Sequence, residues 1–397
     1  MSLFGETKPV KKPILGVSLY PEQETMEEID SYLKMASSYG FTKIFTSMFS
    51  VPGTTQEVFD YFKNFCDIAH KYGMKVSGDC NTEFFKKMGA SESDISIFHD
   101  MGLDIIRMDL PYFDERDVTL INNPYNITIE ITSAMVDAVR LALKNGANPK
   151  NFRTCHNFYP ERYTASDMDS IRKVNRELAE LGIPSAVFIS SNEENTHGPW
   201  PVHDGLPTVE DHRWIPVDLQ VRHWISVGDV DEIIFGNAFA SEEEFKAIAQ
   251  VIKEAYVDIP KNEAMGFLAD LLPHGLVERI PFKIELENGV TDVEKEAVYN
   301  FQYHQNSENP YYMIRSRWSR IFYAKASIPE RKCDQEYYHR GDVVIVNDNL
   351  AHYRGEVQIV LKDMKVDGQR NLIGHIPEAE QILLSEIHAG TSICFMK

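Results

Sequence analysis

Apolar positions along residues 14–255 recur in two alternating periods. Short runs such as I-L-G-V-S-L-Y (14–20), K-I-F-T-S-M-F (43–49), K-V-S-G-D-C-N (75–81) and I-I-R-M-D-L-P (105–111) read as strands. Four more follow: I-T-I-E-I-T (127–132), F-R-T-C-H-N-F-Y (152–159), S-A-V-F-I-S-S (185–191) and E-I-I-F-G-N-A (232–238). Between them lie stretches with one apolar helical face, for example M-E-E-I-D-S-Y-L-K-M-A-S-S-Y-G. Gly40, Gly73, Gly102, Gly146 and Gly182 mark helix ends, because glycine takes the left-handed C′ conformation at little cost. Eight strand–helix units over about 250 residues are the count for a (β/α)8 barrel. A doubly wound open sheet is the alternative. It would carry a glycine-rich phosphate loop after strand 1, and L-Y-P-E-Q-E is not one.

From about residue 275 strand-like runs follow one another without long helices. They are P-F-K-I-E-L-E (281–287), Y-Y-M-I-R-S (311–316), D-V-V-I-V-N (342–347), E-V-Q-I-V-L (356–361) and S-I-C-F-M (392–396). The expected division is a barrel over 12–260 and a smaller, mostly-β barrel domain over 275–397.

Side chains alternate along a strand, so parity identifies what points into the barrel. On strand 5, Ile127, Ile129 and Ile131 share one face, which leaves Glu130 inward. The same reasoning places Ser77, Asp79 and Asn81 inward on strand 3, and Arg107 and Asp109 inward on strand 4. On strand 6 it places His156 inward with Thr154, and Asn157 at the rim. An unpaired charge inside a barrel is costly. Arg107 with one carboxylate reads equally well as a structural ion pair. Three inward carboxylates against one inward arginine leave a surplus, which is the pattern of an acid/base site. H-N-F-Y-P-E-R-Y continues from strand 6 into the loop, with Tyr159 and Arg162 beside a polar mouth.

Roughly 25 residues link strand 7 to its helix, against the usual ~2–6. This loop carries Trp200, Glu210, His212 and Arg213, and its aromatic faces and hydrogen-bonding tips suit a sugar-like ligand. Its histidines at 197, 203 and 212 lack metal-ligand spacing, so no metal is expected. Ser241 and Glu244 have capping-box spacing at the start of the last barrel helix. Any phosphate there would use the loop after strand 8, with Gly236 and Asn237.

Composition narrows the class. The 40 basic and 60 acidic residues give a net charge of −20, which argues against nucleic acid as partner. Five scattered cysteines without C-x-x-C fit reduced thiols. The start M-S-L-F-G-E-T-K-P has no apolar signal region, and no run approaches the ~18 apolar residues of a membrane span. A cytoplasmic location without membrane contact is the expectation.

G-V-S-L-Y-P-E near the start, Asp79 after strand 3, R-M-D on strand 4, H-N-F-Y-P on strand 6 and G-L-P-T-V-E-D-H-R in the long loop occur together and in order. With these motifs the chain closely resembles the bacterial 6-phospho-N-acetylmuramidase family over nearly its whole length. The resemblance implies a (β/α)8 barrel followed by a cyclophilin-like β domain. It also implies an intracellular glycosidase without cofactor, splitting N-acetylmuramic acid 6-phosphate from N-acetylglucosamine in cell-wall sugar recovery. The chain departs from the family pattern in D-C-N-T-E-F-F after strand 3 and in I-E-I-T-S-A on strand 5.

Glycoside hydrolysis uses two carboxyl groups, one protonating the leaving oxygen and the other attacking or activating water. Asp79 and Asp109, on strands ~4.8 Å apart, are the expected pair, with Glu210 an alternative acid from the loop. Glu130, His156, Asn157, Tyr159, Trp200, His212 and Asn237 are expected to bind sugar or its substituents. Arg107, Arg162 and Arg213 are candidates for the phosphate or the lactyl carboxylate. The competing reading is a phosphosugar-binding protein on an inactive barrel. For the second domain, closing over the mouth and forming a homodimer are the two roles open.

Overall fold

The structure is a computed structural model that describes residues 10–21, 23–48, 51–201 and 203–397. Glu22 of the G-V-S-L-Y-P-E motif, Phe49 at the end of the second predicted strand, and the first nine residues lie outside the described residues. The chain divides into two compact units, one of Pro13–Ala249 and one containing Gln250–Lys397.

In the first unit, eight parallel strands close into a barrel in sequence order. They are β1 (Ile14–Leu19), β2 (Phe41–Ser47), β3 (Lys75–Cys80), β4 (Ile105–Met108), β5 (Thr128–Thr132), β6 (Phe152–Cys155), β7 (Ser185–Ile189) and β8 (Glu232–Phe235). Each coincides with a predicted run. The runs extend too far at their C-terminal ends, where the chain leaves the ladder to build loops. Capped amphipathic helices lie between them. In α1 (Met26–Ser38), Ile29, Tyr32, Leu33 and Ala36 are buried at helical spacing, and Thr25 with Glu28 forms a capping box. α2 (Thr55–Lys71) repeats the design with Thr54 and Glu57. The five glycines predicted to stop helices all have positive φ, Gly102 at 95°. The predicted Ser241–Glu244 box is present, with Glu244 accepting from the Ser241 N–H at 3.0 Å and donating its own N–H to Ser241 Oγ at 3.2 Å.

Strand parity is as expected on β3, β4 and β5 and reversed on β6. Met108, Ile129, Ile131 and Phe152 line a common space with Ile121, Ala138 and Ala142, on the helix side of the sheet. Phe152 facing outward turns Arg153 and Asn157 inward and sends Thr154 and His156 out. The expectation that His156 faces inward with Thr154 is corrected. The stronger constraint is Phe152, which packs on helices, together with Arg153, which has buried partners.

Those partners form a four-membered charge ring inside the barrel. Lys43 Nζ lies 2.9 Å from Glu130 Oε2 and 2.7 Å from Glu232 Oε2. Arg153 Nε lies 2.9 Å from Glu130 Oε2, and Arg153 Nη2 contacts Glu232 Oε1. Two cations thus alternate with two anions drawn from β2, β5, β6 and β8. Burial alone would raise the Glu232 carboxyl, but Lys43 and Arg153 outweigh it and hold the pKa below its usual value. Glu130 is therefore not a surplus carboxylate at the mouth. The expectation that it contacts a ligand is corrected.

In the second unit, a three-stranded sheet has the order β18-β10-β9, and a five-stranded antiparallel sheet has the order β11-β17-β14-β15-β12. β9 (Tyr256–Ile259), β10 (Gly275–Phe282), β11 (Glu285–Leu286), β12 (Met313–Ser316), β13 (Tyr337–Tyr338), β14 (Asp342–Val346), β15 (Val357–Val360), β16 (Met364–Lys365), β17 (Arg370–His375) and β18 (Ser392–Phe395) make up its strands. β13 and β16 form a two-stranded sheet. The central β14 and β15 are buried along their whole length, including the polar Asp342 and Gln358. β17, in R-N-L-I-G-H, escaped the sequence reading because only Leu372 and Ile373 stand out in it. No helix among the described residues is long and apolar enough to cross a membrane, and none of the cysteines is paired.

The charge ring yields a stability test. Lys43→Met leaves Glu130 and Glu232 sharing one cation, and we expect a loss of about 3–5 kcal/mol in urea unfolding. A change under about 1 kcal/mol would mean that solvent already compensates the ring.

Candidate active site

The C-terminal ends of β3, β4 and β6 bring three predicted groups together. Arg107 Nη1 donates to Asp79 Oδ1 at 2.7 Å, and Arg107 Nη2 donates to Asn157 Oδ1 at 2.6 Å. Register explains the meeting. Asp79 is the β3 partner of Arg107, and Asn157 lies two residues beyond the end of β6 on its inward face. Asp79 is only 9% exposed. Burial pushes its pKa up, Arg107 pulls it down, and the charges of Asp109 and Glu130 add to the rise; the net direction is upward. Asp109 follows β4 with its N–H bonded to Cys80 O at 3.2 Å, and it is exposed. The two aspartates thus share a face of adjacent strands, Asp109 one inward position nearer solvent than the register partner of Asp79.

An aromatic wall stands beside these polar groups. Phe45 on β2 and Phe188 on β7 meet edge to face at 5.3 Å between centroids, and Phe158 meets Phe188 at 5.1 Å. Trp200 extends the wall from the long loop, 6.3 Å from Phe158. The Arg107 guanidinium lies 6.0 Å from the Phe45 centroid. One side of the mouth is therefore polar and the other is ring surface, an arrangement that suits a sugar with its hydroxyl edge and its C–H face. The sequence reading found Trp200 but passed over Phe45 and Phe188. Their inward parity was available, yet an inward phenylalanine looks like any core residue.

The remaining expected contacts lie elsewhere. His156 is buried against the helix Met168–Glu180, its Nε2 2.7 Å from Asn175 Oδ1, and burial holds its pKa down at about 4. His212 is buried beside His223 at 2.9 Å, and burial keeps it well below its usual range. Neither histidine reaches the mouth. Arg213 is fully buried and saturated: Nε and Nη2 grip Glu210 at 2.6 and 2.7 Å, and Nη1 donates to the carbonyls of Tyr159 and Asp204. Glu210 also accepts the N–H groups of Tyr163 and Ala165. Arg213 first of all, then those amides, pull the Glu210 pKa to about 2 against the opposing effect of burial. A carboxyl so acidic carries no proton near neutrality, so Glu210 is corrected from alternative acid to loop clamp, and Arg213 from anion ligand to its buried partner.

Asn237 is likewise a holder of the loop. Its side chain bonds both the N–H and the carbonyl of Ser191 at 2.9 Å, and Thr196 Oγ1 at 2.8 Å. The loop also approaches β8 closely, since a Cβ on Gly236 would sit 2.4 Å from the Leu206 carbonyl. The Tyr159 hydroxyl accepts from Ser166 Oγ at 3.3 Å, within the same loop cluster. Arg162 is exposed, donates to Asp204 at 2.7 Å, and lies 5.6 Å from the Trp214 ring centroid. The described residues contain no cluster of three or more His, Cys, Asp or Glu side chains able to hold a metal ion.

Comparison with known proteins places this geometry in context. Residues 15–250 match the family described as 6-phospho-N-acetylmuramidase, N-terminal, and residues 280–396 match 6-phospho-N-acetylmuramidase, C-terminal. A crystal structure of an uncharacterized B. cereus protein is 30% identical, with 98% of this chain and 100% of that chain aligned at a TM-score of 0.83. A conserved protein of unknown function from Enterococcus faecalis is 22% identical, covering 97% of this chain and 96% of that one at a TM-score of 0.67. No curated protein matches.

The clamp has a pH signature. A carboxyl whose folded pKa is about 2, against 4.5 unperturbed, adds stability above pH 4.5 and loses it as pH falls toward 2. Glu210→Gln should cost about 3 kcal/mol near pH 7, by leaving Arg213 buried without its anion. It should also flatten the acid decline of the thermal midpoint over that window. An unchanged acid limb in the variant would assign the decline to other carboxylates.

Proposed function

This chain belongs to the 6-phospho-N-acetylmuramidase family, and from that premise we propose that Asp79 and Asp109 are the carboxyl pair that cleaves its glycosidic bond. The protein is a glycosidase acting on a sugar that contains N-acetylmuramic acid 6-phosphate, in cell-wall recycling. The finer substrate we propose is the disaccharide in which that sugar is linked β-1,4 to N-acetylglucosamine. The observation that carries the residue assignment is the unlike setting of the two aspartates: one buried with a raised pKa, its neighbour on the next strand exposed.

The roles follow from that contrast. Asp79, the carboxyl that burial and its neighbour's charge keep protonated to higher pH, gives its proton to the departing glycosidic oxygen. Asp109 meets the anomeric carbon by direct attack or through a water that it deprotonates. Arg107 holds Asp79 in place and is itself held by Asn157. Phe45, Phe158 and Trp200 take the C–H face of the sugar. The same reading places the enzyme in the cytoplasm, because a phosphate charge keeps such a sugar within the membrane that encloses it.

One observation favours the competing reading, a phosphosugar-binding protein without turnover: the 2.7 Å pair in which Arg107 neutralises Asp79. Incubation with the phosphorylated disaccharide separates the two. We expect release of reducing sugar, whereas tight binding with no release would establish the binding protein. Asp109→Asn should lower kcat by about 10³-fold with little change in thermal midpoint. A variant that unfolds instead would return Asp109 to a structural role. With Asp79 as the acid, kcat/KM should fall as pH rises through its folded pKa, and Asp79→Asn should abolish that limb.

A further inference from the structure

The long loop between β7 and the helix that begins at Val217 encloses a second space at the same end of the barrel. It is a cavity of about 300 Å³ against the ends of β7 and β8, walled by Asn192, Glu193, Glu194, His203, Trp214 and Asn237 among others. That is the lower end of small-molecule pockets, ~300–1,000 Å³, a size that accepts a single sugar ring.

The walls are pre-organised. Asn237 fixes Ser191 and Thr196, and Glu244 accepts from Ser191 Oγ at 2.7 Å, so the β7 side of the cavity is tied to β8 and its following helix. Trp214 presents an indole that is 57% exposed. The charges facing this region are mostly negative. Glu193 and Glu194 line it, Glu244 stands behind Ser191, and Glu24 holds His197 at 3.1 Å. Of the basic side chains, Arg162 is engaged by Asp204 and lies near the Trp214 face, His197 is engaged by Glu24, and His203 lines the wall. A phosphate dianion entering here would meet more carboxylate than cation in a chain of net charge −20. An uncharged pyranose would meet acceptors for its hydroxyl groups and an aromatic ring for its C–H face.

We propose that this cavity is the subsite for the uncharged sugar of the substrate, an N-acetylhexosamine ring stacked on Trp214 with its hydroxyls donating to Glu193 and Glu194. The phosphorylated sugar is thereby confined to the Asp79–Asp109 side of the mouth. The assignment rests on the glycosidase reading for its biological sense, but its test does not. N-acetylglucosamine is titrated into the wild-type protein and into Trp214→Ala and Trp214→Phe, with binding followed by saturation-transfer NMR. We expect affinity to fall about tenfold in the alanine variant and to be largely kept by phenylalanine. N-acetylglucosamine 6-phosphate should bind the wild type more weakly than the unphosphorylated sugar, and Glu194→Gln should narrow that difference.

Hydrolysis supplies the second arm. The disaccharide is compared with an aryl glycoside of N-acetylmuramic acid 6-phosphate, which has no second sugar. Trp214→Ala should raise KM about tenfold more for the disaccharide than for the aryl glycoside. Equal rises for both substrates, or equal N-acetylglucosamine binding in wild type and Trp214→Ala, would overturn the subsite. If the wild type hydrolyses neither substrate, the glycosidase reading fails, and the titration alone decides what the cavity binds.

Discussion

Two buried cations and two buried anions inside the barrel govern how everything above them is arranged. Lys43, Glu130, Arg153 and Glu232 come from four strands, and each needs two opposite charges within reach. Slipping any one strand by a residue would turn its charge toward the helices and leave the others uncompensated, so the ring pins register as well as contributing contacts. Its consequence is clearest on β6. Arg153 must face inward, so Asn157 also faces inward, where it meets Arg107, and His156 is sent to the helix layer.

Above the ring the electrostatic balance changes. Arg107 is matched to Asp79 and Asn157, while Asp109 stands a step nearer solvent. Neutralisation is thus complete in the barrel interior and incomplete at its mouth. The two aspartates therefore sit in unlike surroundings, Asp79 buried and Asp109 exposed. The wall of Phe45, Phe158 and Phe188 reinforces the contrast by keeping the local dielectric low on one side of the mouth.

The long loop after β7 is the other half of the site, and its charged residues serve mainly to build it. Arg213 binds Glu210 and several carbonyls from inside the loop, and Asn237 anchors the loop's first turn to β8. A loop of that length would otherwise sample many conformations, so hydrogen bonds from buried side chains replace the secondary structure that it lacks. Residues that look like ligand contacts in a list of polar side chains are here spent on shape. Trp200 and Trp214 are left exposed, along with polar residues such as Glu193, Glu194 and His203.

The order of strands and helices, the closed barrel, and the inward positions of Asp79, Arg107, Asp109 and Glu130 were determined by the sequence alone. Period-two and helical patterns are local properties, and eight such units have few ways to close. The motifs from G-V-S-L-Y-P-E to G-L-P-T-V-E-D-H-R carried the family as well. What only the tertiary structure decided was who pairs with whom. Lys43 and Arg153 answer Glu130 across the barrel, Arg213 takes Glu210 out of acid chemistry, and Phe152 overrules His156 for the helix side of β6. Alternation tells which face a side chain occupies but not its depth or its partner. Those depend on strands 87 and 189 residues apart in the chain, as Lys43 is from Glu130 and Glu232, and on which buried charge finds compensation first.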